Sequence, residues 1–254
     1  MTGFVGAIVE AWDELRIHKV RVLLSLIGVA AAVAAITGVT AAVAMLKQGF
    51  AEQAEKQNGR EVTLMMYANP ADGQVTAKSA AAITAAYAQA LKRYSISWSS
   101  RDYSTQTTVK FPRGSMDLQV RAVDPAFGTI YRIQITQGRW FSEADATSFA
   151  PQLVVNEAFL RALGVSDLSG HPTVLLGDAH PVRAEIIGVQ AEPYSSDQPA
   201  AVVLYDPLMR WGLVDNANSQ PAPNLDVWVP ADSVDELSGL LKRDLTAAAP
   251  GLLG

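Results

Sequence analysis

Three histidines, His18, His171 and His180, are the first place to look for chemistry in this 254-residue chain. Their separations match no metal-ligand spacing. Asp178 and His180 fall inside Gly177-Asp178-Ala179-His180-Pro181, whose composition is that of a tight hairpin turn, so they read as solvated groups and not as an acid–base pair. Glu143 and Asp145 follow Ser142 as carboxylates follow an N-cap, and Tyr194-Ser195-Ser196-Asp197 reads as a loop. No GxxxxGK[ST] loop offers a cradle for phosphates, and no GxSxG turn presents a nucleophile. The chain has no cysteine, which removes thiolate nucleophiles, disulfides and sulfur-ligated metals. A net charge of -5 and the lack of a basic stripe beyond the N-terminal region disfavour a nucleic-acid partner. These readings assign no catalytic, cofactor-binding or metal-ligating residue, and the chain is not expected to be an enzyme.

With little chemistry to position, the element that matters most is Val22 to Leu46, a run without a charged side chain. At about 1.5 Å per residue it is longer than the roughly 30 Å hydrocarbon core of a bilayer. Ser25, Thr37 and Thr40 are expected to bond back to their own helix, which makes them cheap in lipid. Arg16, Lys19 and Arg21 crowd the first edge, so the positive-inside rule predicts a cytoplasmic N-terminus and an extracytoplasmic remainder. Gly28, Ala31, Ala32, Ala35, Gly38 and Ala42 recur at spacings of three and four, a smooth flank suited to another membrane helix. A signal peptide cleaved at Ala42-Val43-Ala44 is the competing reading, but the apolar run exceeds the usual signal core of about 7 to 15 residues.

The expected domains are therefore 1–21, an amphipathic helix on the cytoplasmic face; 22–46, the span; and 47–254, an extracytoplasmic α+β domain. Within the first of these, Phe4, Ala7, Ile8, Ala11, Trp12 and Leu15 share one helical face from Gly3 to Ile17. Helical spacing continues from Lys47 to Asn58, with Gly59 as the stop. A strand is expected over Glu61 to Tyr67, a turn over Ala68 to Gln74 and a helix over Lys78 to Tyr94 burying Ile83, Tyr87 and Leu91. Three strands, Ser95 to Ser99, Thr105 to Phe111 and Met116 to Val123, make 95–125 a β-rich lobe, with Arg101-Asp102 as a turn. Strands follow at Leu153 to Val155, Thr173 to Leu176, Val182 to Val189, Ala200 to Tyr205 and Leu225 to Val229. Helices are expected from Asn156, as N-cap, to Leu163 with Gly164 as the stop, from Asp206-Pro207, and after Ser233, whose spacing to Glu236 is that of a capping box and whose helix buries Val234, Leu237 and Leu241. Asp215 to Pro223 reads as an exposed loop. Trp98, Trp140, Trp211 and Trp228 are candidates for a lipid-like contact, although core packing is the commoner fate of tryptophan.

Two stretches resemble the MacB-like, FtsX-superfamily permeases of ABC transporters. Leu15 to Val33, with its basic edge running into the span, is similar to that family's opening. Gly138-Arg139-Trp140-Phe141-Ser142-Glu143-Ala144-Asp145 is similar to its "GRxFTxxD" turn, Val154 to Phe159 to its strand-to-helix segment, and Ile186-Ile187-Gly188-Val189 to its "xxVIGV" strand. The resemblance implies a two-lobed mixed α/β periplasmic core domain on the first membrane helix. It also implies a cytoplasmic ATPase subunit that binds the ATP, a second permease as homo- or heterodimer partner, and a role in export or lipoprotein and envelope handling. Because the family returns to the membrane after this domain, the chain reads as an N-terminal fragment of a permease. A single-pass anchored module that binds extracytoplasmic ligands by itself is the alternative.

Overall fold

The computed structural model describes residues 19–58, 62–67, 77–191, 197–213 and 222–251. The helix expected over Gly3 to Ile17, Arg16, the 68–74 turn, Tyr194 to Ser196 and most of the 215–223 loop lie outside them. Compactness separates two units, 1–53 and 54–254.

A single helix, α1 (Lys19–Asn58), takes in the apolar run and the polar stretch after it. Its 40 residues make it about 60 Å long. No proline interrupts it, and the expected hydroxyl bonds are present: Ser25 Oγ donates to the Arg21 carbonyl at 3.0 Å, Thr37 Oγ1 to Val33 at 2.8 Å and Thr40 Oγ1 to Ile36 at 3.0 Å.

Among the described residues the second unit is built on nine strands. In chain order its elements are β1 (Thr63–Met66), α2 (Ala77–Arg93), β2 (Ser99–Phe111), β3 (Gly114–Val123), α3 (Phe127–Ile130), β4 (Ile135–Gly138), a 3₁₀ turn (Glu143–Thr147), β5 (Gln152–Val155), α4 (Glu157–Leu163), β6 (Thr173–Leu176), β7 (Val182–Gln190), β8 (Ala201–Leu204), α5 (Tyr205–Arg210), β9 (Asn224–Trp228) and α6 (Val234–Ala248). Strand order runs β1-β9-β2-β3-β8-β5-β7-β4, and β6 bridges β7 back to β2. Six strands, β2-β3-β8-β5-β7-β6, therefore close a ring. Alternate side chains point into it: Val109, Phe111, Leu118, Val120, Leu153, Leu176, Ile186 and Val203 form its core, with Phe159 and Leu160 of α4 and Leu208 of α5 packed against them.

The opposite parity faces outward to a smaller cluster: Val123, Val154, Val202 and Leu204 pack under Phe127 and Ile130 of α3, under Tyr131 just after it and under Phe141. A second lobe continues from the first part of β2. There β9 and β1 extend the sheet, and α2 and α6 bury Ile83, Tyr87, Leu241 and Leu245 against Leu225 and Val227. The fold is the mixed α/β one expected. The closed ring is the addition: 95–125 supplies only two of its six strands.

Three local expectations need correction. Ser95 to Ser99 is not a separate strand, because β2 runs unbroken from Ser99 to Phe111. Arg101 and Asp102 are consequently strand residues and not a turn; their charges are tolerated there because each meets an oppositely charged side chain. Ser233 does not cap α6: its hydroxyl bonds Asp232 instead, and Val234 and Leu237 are only half-buried, leaving Leu241 and Leu245 as the fully buried pair. By contrast, Asn156 Oδ1 accepts from the Phe159 amide at 2.9 Å and Gly164 ends α4 with φ of 79°.

Candidate functional site

The fold brings the turn after β4 against strand β7, which on its other side pairs with Val154 and Val155 of β5. Strand β7 carries an irregularity beside β5: Leu153 pairs with Ile186, yet the next residue, Val154, pairs with Gly188. The extra residue, Ile187, turns its carbonyl to accept from the Arg139 amide at 3.0 Å. Two glycines make this crossing possible. A Cβ on Gly138, which sits at φ of 72°, would stand 2.2 Å from the Ile187 carbonyl oxygen, and one on Gly188 would stand 2.2 Å from that of Arg139.

Past the crossing, Arg139 grips Asp145 with both guanidinium nitrogens at 2.6 and 2.8 Å. The amide and hydroxyl of Ser142 add bonds to the same carboxylate at 2.7 and 2.8 Å. Arginine first and these bonds second hold the Asp145 carboxyl down at about 2 despite its burial. Trp140 donates its indole N–H to the Pro125 carbonyl at 2.9 Å and packs edge-on to Phe141. A Cβ on Gly128 would meet the Trp140 ring at 2.4 Å, so the indole lies flat on the α3 backbone. Gly138, Arg139, Trp140 and Phe141 thus fasten α3 and the 3₁₀ turn to the outside of the ring. Nothing in them is arranged for bond-breaking chemistry.

A second polar region lies where the two lobes meet along the first residues of β2, and composition gave no signal for it. Arg101 bonds Asp124 through Nε at 2.9 Å and Nη2 at 2.7 Å, reaches Asp206 of α5 at 2.7 Å, and lies 4.4 Å above the Tyr205 ring. Next to it, on the other face, Asp102 holds Arg121 at 2.8 and 2.6 Å, with the guanidinium 4.4 Å above Phe127. Tyr131 donates to Asp226 of β9 at 2.7 Å. Asp226 is 3 % exposed, and desolvation pushes its carboxyl up to about 6 even though the Tyr131 bond pulls the other way. The periodicity of β2 and β9 hid these charges, since their partners lie far away in sequence.

The remaining expected residues are scattered. Lys19 and Arg21 begin α1; Gly28, Ala31, Ala32, Ala35, Gly38 and Ala42 lie along it, all exposed. A Cβ on Gly28 or Gly38 would meet nothing within 4 Å, so a neighbouring backbone has room to approach. The turn with Asp178 and His180 is exposed between β6 and β7, and His171 lies 3.3 Å from Glu185 on the surface. Among the described residues no cluster of histidine and carboxylates is fit to hold a metal. Trp98 and Trp228 pack together at 6.0 Å with Trp98 partly exposed, while Trp140 and Trp211 are half-buried.

The family model for the MacB-like periplasmic core domain matches residues 22–243. This chain belongs to that family. The MacB-like match begins inside α1 and ends inside α6, so it takes in the apolar helix, both lobes, the arginine turn and the junction. Among curated proteins the chain is similar to an uncharacterized ABC transporter permease, YvrN, of Bacillus subtilis (strain 168), at 28 % identity over 253 residues. The alignment covers 90 % of this chain and 58 % of YvrN. Two solved structures share the fold. One is the extracellular domain of the noncanonic ABC-type transporter YknZ from Gram-positive bacteria, with a TM-score of 0.52, 15 % identity, and 73 % of this chain and 93 % of that one covered. The other is the periplasmic region of MacB from Actinobacillus actinomycetemcomitans, with a TM-score of 0.56, 14 % identity, and 76 % and 87 % covered. MacB-like membership and the apolar helix make this a membrane protein with a core domain of the extracytoplasmic type.

Proposed function

We propose that the chain is a permease subunit of an ABC transporter that carries ATP-driven motion to an extracytoplasmic domain, for export or for handling lipoproteins and other envelope cargo. The observation that carries this reading is α1. Over Lys19 to Phe50 it is long and apolar enough to cross a bilayer, and it continues as helix to Asn58. A helix resists axial strain, so a shift of a few ångström at its inner end is delivered at its outer end.

In this reading Arg16, Lys19 and Arg21 sit at the cytoplasmic edge and residues 47–254 lie outside. The flank of Gly28, Ala31, Ala32, Ala35, Gly38 and Ala42 receives a helix of a second permease, identical or related. ATP is bound and hydrolysed on a separate cytoplasmic ATPase subunit, so this subunit does no chemistry and holds no cofactor. The amphipathic 3–17 segment contacts the ATPase side. Deleting residues 3–17 in the intact transporter is expected to leave ATP hydrolysis running while cargo movement falls at least tenfold. Undiminished transport overturns the coupling role.

A further inference from the structure

Among the described residues of the lobe junction, Asp226 is the carboxylate that no guanidinium hydrogen-bonds. Around it stand Tyr131, the residue after α3 and its hydrogen-bond donor; Arg121 of β3, already gripped by Asp102; Asp102 itself and Ser100 of β2; Met65 of β1, its register partner; and Tyr87 of α2. The Tyr87 hydroxyl is buried without a hydrogen-bond partner and feels the Asp226 charge. Among the described residues the neighbouring charges do not balance: Asp102, Asp124, Asp206 and Asp226 stand with two guanidinium groups, those of Arg101 and Arg121. Two carboxylates are surplus: Asp206, which shares Arg101 with Asp124, is half exposed, whereas Asp226 is almost completely buried.

We propose that Asp226 is a proton-binding site that latches the β1-β9-α2-α6 lobe to the ring lobe, holding the two together more firmly when the proton is bound. The geometry supplies both parts of such a device. Strand β9 carries the acid and belongs to the helical lobe, whereas Tyr131 and Arg121 belong to the side that packs on the ring. Protonation removes a surplus buried charge without breaking the Arg121–Asp102 pair. An acid whose pKa in the closed junction is about 6, against 3.8 when exposed, favours closure at low pH and loses that advantage as pH rises through 6. From those two values, opening of the junction is about tenfold more frequent at pH 7.5 than at pH 5.

Hydrogen exchange of the full chain in detergent tests this, with rates corrected for the intrinsic pH dependence of exchange. Opening reported by peptides spanning 126–132 and 224–229 is expected to fall about tenfold from pH 7.5 to pH 5, passing half its high-pH level near pH 6, the midpoint. Asp226→Asn is expected to abolish the dependence. Tyr131→Phe keeps the acid but removes the bond that favours its charged form, and moves the midpoint to higher pH. A pH response identical in the wild type and in Asp226→Asn, or an unmoved midpoint in Tyr131→Phe where Asp226→Asn does not fold, overturns the proposal.

Discussion

The arginine turn and the lobe junction each bury an aspartate, and they treat it in opposite ways. Asp145 receives four bonds, two of them from a guanidinium, and stays ionised down to about 2. Asp226 receives one bond from a phenol, Tyr131, and takes up its proton at about 6. Burial is common to both, so donor number and donor charge set the outcome. A satisfied carboxylate fixes a shape, as Asp145 fixes the turn across β7. An undersupplied one leaves a group whose charge the surroundings can change.

The crossing at the turn gives the largest expected effect. Gly138→Ala or Gly188→Ala sets a Cβ 2.2 Å from a backbone carbonyl, and neither main chain can move without opening the β5–β7 irregularity. A loss of about 3–5 kcal/mol is expected in urea denaturation. Gly164→Ala is the control, having a similar positive φ but open space around it, and should cost only about 1 kcal/mol. Equal costs at Gly138 and Gly164 would show that φ and not the crossing matters.

Neutralising the two acids should separate the regions next. Asp145→Asn removes the charge that Arg139 pairs with, and about 2 kcal/mol is expected to be lost at pH 7.5, a figure reduced because Arg139 is half exposed. Asp226→Asn removes an unbalanced buried charge, and stability at the same pH should rise by about 1–2 kcal/mol. A loss in both variants would break the contrast.

Wild-type stability against pH should show the same opposition. The folded pKa of Asp145 is lowered, so its contribution is complete above about 4 and is lost as pH falls toward 2. That of Asp226 is raised, so its contribution is complete below about 4 and is lost as pH rises through 6. Denaturation midpoints collected from pH 3 to pH 8 should peak near pH 4, and Asp226→Asn should flatten the limb above that peak. Smallest of all, Phe149→Ala should shift stability by less than about 0.5 kcal/mol, because Phe149 is 90 % exposed and touches Trp211 only edge-on.

How much of this the chain discloses depends on sequence distance. Local signals read well: the apolar span, the Asn156 cap, the Gly164 stop and most strands rest on neighbours within a few residues. Closure of the ring does not, because β2 meets β6 through Val109–Leu176 and Lys110–Leu175, pairs that no periodicity specifies. The junction was hidden for the same reason. Arg101 and Asp102 look like a turn until Asp124, Asp206 and Arg121, 19 to 105 positions away, are folded beside them. The turn at Gly138 was visible as a run of residues, but its need for Gly188 belongs to the fold alone.

The most direct test of the transporter account is which side of the membrane each part occupies. The chain has no cysteine, so a single one can be placed at will, and Ser115 lies exposed at the tip of the β2–β3 hairpin. In intact cells a membrane-impermeant maleimide should label Ser115→Cys fully and Thr2→Cys only after lysis. Labelling of Thr2→Cys in intact cells, with Ser115→Cys protected until lysis, would contradict the account.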